Sequence, residues 1–268
     1  MRVIDPHVHM VSRVTDDYRL LAASGIRTLT EPAFWAGFDR GSPEAFRSYF
    51  DQLTVYEPRR ARQFGVRHYT WICLNPKEAE DLALAGEVLA FLEEYLDRPT
   101  VLGVGEIGLN KNSRNELEIL ERHVDLAARR DELILVHTPH LEDKLKGTRL
   151  ILDVLSADAR IRPERVLVDH AEEHTLGLIL DRGFWAGITL YPVSKASPVR
   201  AVDMLERFGT ARICLNSAAD WGDSDPIATL RAAQEMRMRG HSEEQVERVL
   251  WHNPCAFLGQ SPKFEPAC

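Results

Sequence analysis

The chain has 268 residues, of which 44% are apolar and 28% are charged, and its formal net charge is −8. It contains no run of about 18 apolar residues, which excludes a membrane-spanning helix, and its start lacks the apolar core of a signal peptide. Large nucleic-acid surfaces carry a basic stripe, so the acidic balance disfavours one, although a local basic cleft stays open. The four cysteines show no close spacing. We therefore predict a soluble, reduced, cytoplasmic protein that acts on a small molecule.

Apolar, strand-like segments alternate with charged, helix-like segments along the whole chain. Glycine ends several helical patterns directly before a strand, as expected at helix C-termini, at Gly25, Gly65, Gly183 and Gly209. Ser-Pro pairs at 42–43 and 197–198 are typical helix starts. The predicted strands span 2–4, 26–30, 67–74, 101–106, 133–137, 166–170, 185–190 and 212–216. The predicted helices span 15–23, 43–64, 77–96, 115–130, 144–156, 173–182, 198–208 and 226–239.

Eight strand–helix cycles predict an α/β protein of the (β/α)₈ TIM-barrel type, with residues 1–268 forming one domain. An open, doubly wound sheet is the alternative, but it more often carries a glycine-rich phosphate loop. The run from Gly103 to Gly108 resembles such a loop only superficially, because its third glycine comes too early and no helix begins there.

Histidines and carboxylates gather at the predicted strand ends, where barrel enzymes carry their catalytic residues. His7 and His9 end the first strand and share one face of it. The other candidates follow strands four, five, six and eight, at Glu106, His137, His170 and Asp220. Imidazole and carboxylate ligands suit Zn²⁺ or Mn²⁺ better than Mg²⁺. Six ligands exceed the needs of one catalytic zinc. We therefore expect two divalent ions, zinc first, with manganese or magnesium as alternatives.

The sequence resembles the TatD-related branch of the amidohydrolase superfamily over essentially its full length. The matching motifs are Asp5-Pro6-His7-Val8-His9, Gly105-Glu106-Ile107-Gly108-Leu109, His137, His170, the Asp220 segment and Asn253-Pro254. The resemblance implies a metal-dependent hydrolase of the barrel type. It implies that His7 and His9 bind a first ion with Asp220, that Glu106 bridges, and that His137 and His170 hold a second ion.

Two departures from the family pattern bear on the site. TatD-type nucleases usually carry Thr-Asp-Ala-Pro after strand eight, whereas residues 216–222 read Asn-Ser-Ala-Ala-Asp-Trp-Gly. A gapless overlay puts Ala218 at the ligand position. We expect Asp220, the first carboxylate after the strand, to reach the ion through a short bulge, with Asp223 and Asp225 as alternatives. The second departure is His137-Thr138-Pro139-His140 in place of His-x-Arg or His-x-Lys, so the nuclease substrate does not carry over.

Further side chains follow the strands at the same rim and are candidate substrate contacts: Lys195, His140, Tyr191 and Glu31. Lys195 could hold a substrate phosphate or carboxylate, the alternative being an exposed loop lysine. Phe34, Trp35 and Phe38 could form a pocket wall or simply cover the barrel top. Asp169 precedes His170 on the opposite face of its strand, so we expect it behind the site.

The predicted reaction is hydrolysis of a small ester, amide, lactone or phosphoester by a hydroxide that two metal ions activate. Glu106 and Asp220 are the predicted catalytic residues, and Asp220 would also shuttle the proton. One alternative is a TatD-type deoxyribonuclease that acts on DNA ends. Others are a sugar-phosphate isomerase, for which the first-strand His-x-His is atypical, and a non-catalytic metabolite-binding or scaffold barrel.

Overall fold

Eight parallel strands follow one another around a single sheet in the part of the chain that the computed structural model describes, residues 1–139 and 143–267. They are β1 Val3–Asp5, β2 Ile26–Pro32, β3 Arg67–Ile72, β4 Val101–Gly108, β5 Leu133–His137, β6 Val166–Val168, β7 Trp185–Thr189 and β8 Ile213–Asn216. Each strand pairs in parallel with the next in sequence. The predicted (β/α)₈ TIM barrel is confirmed.

Helices connect the strands around the outside of the barrel. They are α1 Thr15–Ala23, α2 Pro43–Asp51, α3 Glu57–Arg62, α4 Leu82–Leu96, α5 Arg114–Arg130, α6 Lys144–Ala157, α7 Leu176–Asp181, α8 Pro198–Phe208, α9 Ala228–Met238, α10 Glu243–Glu247 and α11 Asn253–Leu258. The predicted Ser-Pro helix starts are confirmed, because Ser42 and Ser197 accept hydrogen bonds from backbone N–H groups of the first turn. No helix in the described ranges is long and apolar enough to cross a membrane.

The inside of the barrel is filled by its own apolar cluster, separate from the larger core between sheet and helices. Phe257 of α11 packs against Trp71 and Trp185, with ring centroids 6.0 Å away in each case. Because Trp185 is the first residue of β7, the C-terminal helices close the amino end of the barrel. Inward-facing polar side chains occupy the carboxyl end, at His137, Asp169, Thr189 and Asn216. The fold thus confines polar chemistry to one end.

The first and last strands meet through the segments that follow them. The Ala218 N–H donates to the His7 carbonyl at 2.8 Å, and the His9 N–H donates to the Ala219 carbonyl at 2.8 Å. The buried Asp5 carboxylate accepts hydrogen bonds from the backbone N–H groups of His7 and Ser217, both at 3.2 Å. Burial raises the pKa of Asp5 to about 7. Asp5 therefore braces backbone and not an imidazole, and it places the segment after β8 beside the first-strand histidines.

Candidate metal centre

Five buried side chains converge on one point at the carboxyl end of the barrel, with Glu106 in the middle. Glu106 Oε2 lies 3.0 Å from His137 Nδ1, 3.4 Å from His170 Nε2 and 3.7 Å from His7 Nε2. Its Oε1 atom is 3.9 Å from His9 Nε2. His7 Nε2 and His9 Nε2 are 3.0 Å apart. The structure thus brings together five of the six predicted ligands.

Local backbone irregularities aim two of these side chains. The pairing of β4 with β5 shifts register between Val104 and Ile107, and such a bulge re-aims a side chain, here that of Glu106. Gly105 permits this, because a Cβ there would lie 2.7 Å from the Leu135 side chain. His170 follows the end of β6 with a left-handed φ of 59°. That turn brings the ring back into the barrel, although His170 directly follows the inward-facing Asp169.

Asp169 holds the rings from behind. Its Oδ2 atom lies 2.5 Å from His7 Nδ1, and its Oδ1 atom accepts hydrogen bonds from Thr189 Oγ1 at 3.1 Å and Asn216 Nδ2 at 2.9 Å. Since the Thr189 hydroxyl donates to Asp169, its oxygen accepts from His170 Nδ1 at 2.7 Å. This network assigns the proton to Nδ1 in both rings. The Nε2 lone pairs of His7 and His170 therefore face Glu106.

The electrostatics favour ionised carboxylates beside largely neutral imidazoles. Burial opposes ionisation of Glu106, but His137 and His7 hold its pKa well below the usual range. Burial lowers the pKa of His9 and of His170 well below normal, and the charge of Lys195 lowers that of His170 further. His7 is the exception, because Glu106 and Asp169 raise its pKa against the effect of burial.

This donor set fits a divalent metal ion. Nitrogen lone pairs and a carboxylate face one another at hydrogen-bond distances, and a cation between them satisfies all of them at once. The His9 ring stacks on Phe34, with centroids 3.8 Å apart. His9 Nδ1 is buried without a hydrogen-bond partner among the described residues. The ring is thus held by stacking, with Nε2 directed at the cluster.

Asp220, the sixth predicted ligand, lies in the same cavity but is held differently. Its Oδ1 atom accepts hydrogen bonds from the Tyr191 hydroxyl at 2.9 Å and the Gly222 N–H at 2.8 Å. Within the described ranges, the side-chain groups close enough to share one ion include Asp169 but not Asp220. Ala218 lines the cavity with a φ of 41°. Asp220 as a metal ligand stays a prediction, and so do its alternatives.

The cavity above the cluster has a volume of about 150 Å³. Of the predicted substrate contacts, Lys195 and Tyr191 line it, together with Phe34 and Trp35. Glu31 is not among the lining residues, because its carboxylate accepts from the Val11 N–H at 2.8 Å and pairs with His68 Nε2 at 2.6 Å. His140 lies outside the described residues.

Several residues of the site were not predicted from the sequence. Lys77, Ser194 and Trp221 also line the cavity, and Thr189 and Asn216 support Asp169 from β7 and β8. Strand alternation could have found the last two, because Gly187 with Thr189 and Cys214 with Asn216 occupy the inward positions of their strands. Gly187 is needed where it stands, since a Cβ there would lie 2.1 Å from Asp169 Oδ1.

Known proteins are similar to this chain over most of its length. The family described as TatD related DNase matches residues 4–259. An uncharacterized metal-dependent hydrolase of Methanocaldococcus jannaschii is 27% identical over 259 residues, 95% of this chain and 99% of that protein. The crystal structure of a TatD-like protein from Archaeoglobus fulgidus is similar at a TM-score of 0.72 and 25% identity, over 92% of this chain and 99% of that chain. A beta-aspartyl dipeptidase of Fervidobacterium islandicum, at 14% identity and a TM-score of 0.70, shares the fold over 95% of this chain and 74% of its own.

Proposed function

Because this chain belongs to the TatD-related DNase family and is a metal-dependent hydrolase, we propose that it uses two divalent ions, zinc first, to hydrolyse a small ester, amide, lactone or phosphoester. The observation that carries the proposal is the convergence of histidine lone pairs on the ionised Glu106 carboxylate in a small cavity. When bound, the ions would activate a water as hydroxide and polarise the bond under attack.

In this proposal the ligands divide between two ions. His7, His9 and Asp220 would hold the first ion, His137 and His170 would hold the second, and Glu106 would contribute to both. The contacts of Glu106 support the bridge, because both of its oxygens lie within 4 Å of a histidine nitrogen. The contacts of Asp169 and Thr189 support this assignment of ligands. They fix the tautomers of His7 and His170, so that Nε2 is the free ligand atom of each ring.

Asp220 moves the proton in the proposed reaction. Among the described residues, both hydrogen bonds to its carboxylate fall on Oδ1, and we assign to Oδ2 the transfer of a proton from the attacking water to the leaving group. Tyr191 positions this carboxylate, because its hydroxyl donates to Oδ1 and its backbone belongs to the loop after β7. A carboxylate positioned in this way is a competent general base and acid.

The dimensions of the cavity favour a small substrate. Pockets for drug-sized ligands run from about 300 to 1,000 Å³, whereas this cavity has about 150 Å³. Trp35 and Trp221 line it beside the histidines. The second candidate function is a deoxyribonuclease acting on DNA ends, which family membership favours.

The test begins with protein stripped of metal and reloaded with Zn²⁺, Mn²⁺ or Mg²⁺. Metal content per chain is measured by mass spectrometry, and hydrolysis is followed with small esters, lactones, phosphoesters and end-labelled oligonucleotides. We expect two ions per chain and turnover of a small substrate with ¹⁸O from solvent in the product. Cleavage of oligonucleotides alone would support the nuclease, and a chain that binds no metal would overturn both.

A further inference from the structure

Two lysines enter the cavity from opposite sides of the barrel. Lys77 follows β3 and Lys195 follows β7, and both line the cavity above the metal centre. Strands three and seven are four positions apart in the eight-stranded barrel, whose ends meet through the segments after β1 and β8, so they lie on opposite sides of it. A ligand seated between them meets one ammonium group on each side.

Neighbouring residues hold both lysines in place. The Asn75 side chain accepts a hydrogen bond from the Lys77 N–H at 3.1 Å and donates to Glu106 Oε1 at 3.4 Å, which ties the lysine backbone to the metal centre. Lys77 Nζ lies 4.8 Å from the centre of the Trp35 ring. Lys195 lies where the loop after β7 turns back on itself, because the Lys195 N–H donates to the Tyr191 carbonyl at 3.1 Å.

The two ammonium groups are available to an anion. No carboxylate of the described residues lies within the 4 Å ion-pair distance of either Nζ atom. Lys195 Nζ instead lies 3.3 Å from His170 Nε2, whose lone pair faces the centre. If His170 Nε2 held a metal ion, it could no longer accept from the ammonium group, which would then need another acceptor.

The charges of the cavity also call for an anion. Among the residues that line it, Lys77 and Lys195 balance Glu106 and Asp220. Each divalent ion therefore adds positive charge that no lining side chain compensates. A neutral carboxylic ester or lactone would offer no anionic partner to either of these half-buried ammonium groups.

We propose that Lys77 and Lys195 clamp a terminal phosphoryl group, so that the substrate class is a small phosphomonoester; this inference rests on the proposed function. A tetrahedral phosphoryl group has three terminal oxygens, enough for one lysine on each side and for the metal centre between them. A planar carboxylate has two oxygens in one plane and cannot reach all three. A phosphodiester likewise has only two.

The reaction balances without another reactant. Water and the phosphomonoester give an alcohol and orthophosphate: the water oxygen forms a new bond to phosphorus, and the ester P–O bond breaks with its electron pair on the leaving oxygen. One water proton travels through Asp220 to that oxygen, and the other stays with the phosphate. Lys77 and Lys195 hold the terminal oxygens throughout and give up no proton.

The test measures orthophosphate binding by calorimetry to metal-loaded wild type, Lys77→Met and Lys195→Met. Lys146→Met, which removes an exposed lysine of α6, is the matched control. Each cavity variant should weaken binding by about tenfold or more, the usual effect of losing a charge-assisted hydrogen bond, and the control should not. Metal content and melting temperature are measured for all variants. Lys195 Nζ lies beside His170, a proposed metal ligand, so Lys195→Met can also change metal binding. Lys77→Met is therefore the decisive variant.

Kinetics separate this inference from the proposed function. p-Nitrophenyl phosphate should be hydrolysed faster than bis(p-nitrophenyl) phosphate and p-nitrophenyl acetate, with orthophosphate as a competitive inhibitor. Two results would overturn the clamp without contradicting the proposed function. One is faster hydrolysis of the acetate that is unchanged in Lys77→Met, and the other is orthophosphate binding that is equal in Lys77→Met and wild type. Lysine-dependent orthophosphate binding without turnover of any substrate would support the clamp and overturn the proposed function.

Discussion

Two regions face the same cavity and are held in different ways. The cluster around Glu106 is backed by buried side chains, since Asp169, Thr189 and Asn216 fix its rings from below. From Asp220 onward, the segment after β8 depends on half-buried groups, as in the Ser224 hydroxyl that accepts from the Asp220 N–H at 3.0 Å. Trp221 in this segment is 57% exposed. The contrast teaches that the histidines of the cluster are fixed from within the barrel, whereas Asp220 is held by a partly exposed segment.

The largest effect is expected when the carboxylate charge of Glu106 is removed from the centre of the cluster. Glu106→Gln keeps the shape but leaves the histidines without an anionic partner, so we expect loss of bound metal and a fall in kcat of at least about a thousandfold, because electrostatic stabilisation is the largest catalytic contribution. Metal analysis and kinetics measure both effects. Glu121→Gln, an exposed change on α5, is the control. Full metal content in Glu106→Gln would contradict the proposed bridge.

The segment after β8 is probed by Asp220→Asn. If this carboxylate transfers the proton, kcat falls by about a hundredfold or more, the usual contribution of a general acid or base. If it also completes the first ion, as we propose, metal content falls by one ion per chain. Tyr191→Phe is the companion variant, since it removes one of the two hydrogen bonds to Asp220 Oδ1 and keeps the carboxylate. Unchanged kcat together with unchanged metal content in Asp220→Asn would exclude both roles.

A milder change behind the cluster is Asp169→Asn. It keeps a hydrogen-bonding group near His7 Nδ1 but removes the charge that orients the ring, so we expect metal affinity to fall by about 10- to 100-fold. Competition with a chelator measures the affinity. Asp153→Asn, an exposed change on α6, should have no effect. An affinity equal to that of wild type would show that the ring does not depend on this carboxylate.

The smallest effect is expected outside the cavity, at the pair formed by Glu31 and His68. Burial raises the pKa of Glu31 from 4.5 to about 8. The stability that this group contributes is therefore present below pH 4.5 and is lost as the pH rises toward 8. Between pH 5 and 9 the free energy of unfolding of wild type should fall relative to that of Glu31→Gln, as measured by urea titration. Parallel pH profiles would contradict the raised pKa.

Much of the barrel could be predicted because strand patterns and helix caps are local signals. The eight strands, the Ser-Pro helix starts at Ser42 and Ser197 and the family resemblance are confirmed. Glu31 shows where local signals mislead. The predicted strand ended at residue 30, but β2 continues to Pro32, so Glu31 lies within the strand and its side chain points to the helix layer.

Tertiary geometry decided the rest of the site. His170 faces the centre only because its backbone takes a left-handed conformation, which no local pattern of a histidine indicates. Lys77 was expected at the start of a helix, but Pro76–Glu78 form a 3₁₀ turn and α4 begins only after its capping residue Asp81. That turn puts Lys77 at the cavity, and only the barrel as a whole places it opposite Lys195.

The two hydrogen bonds that tie residues 7 and 9 to residues 218 and 219 have a consequence for assembly. They join parts of the chain more than two hundred residues apart, and contacts so distant in sequence slow folding because a long loop must close. His7 and His9 are synthesised early, but their surroundings are complete only when nearly the whole chain is present. Release of bound metal during denaturation should accordingly coincide with cooperative unfolding of the barrel and not precede it.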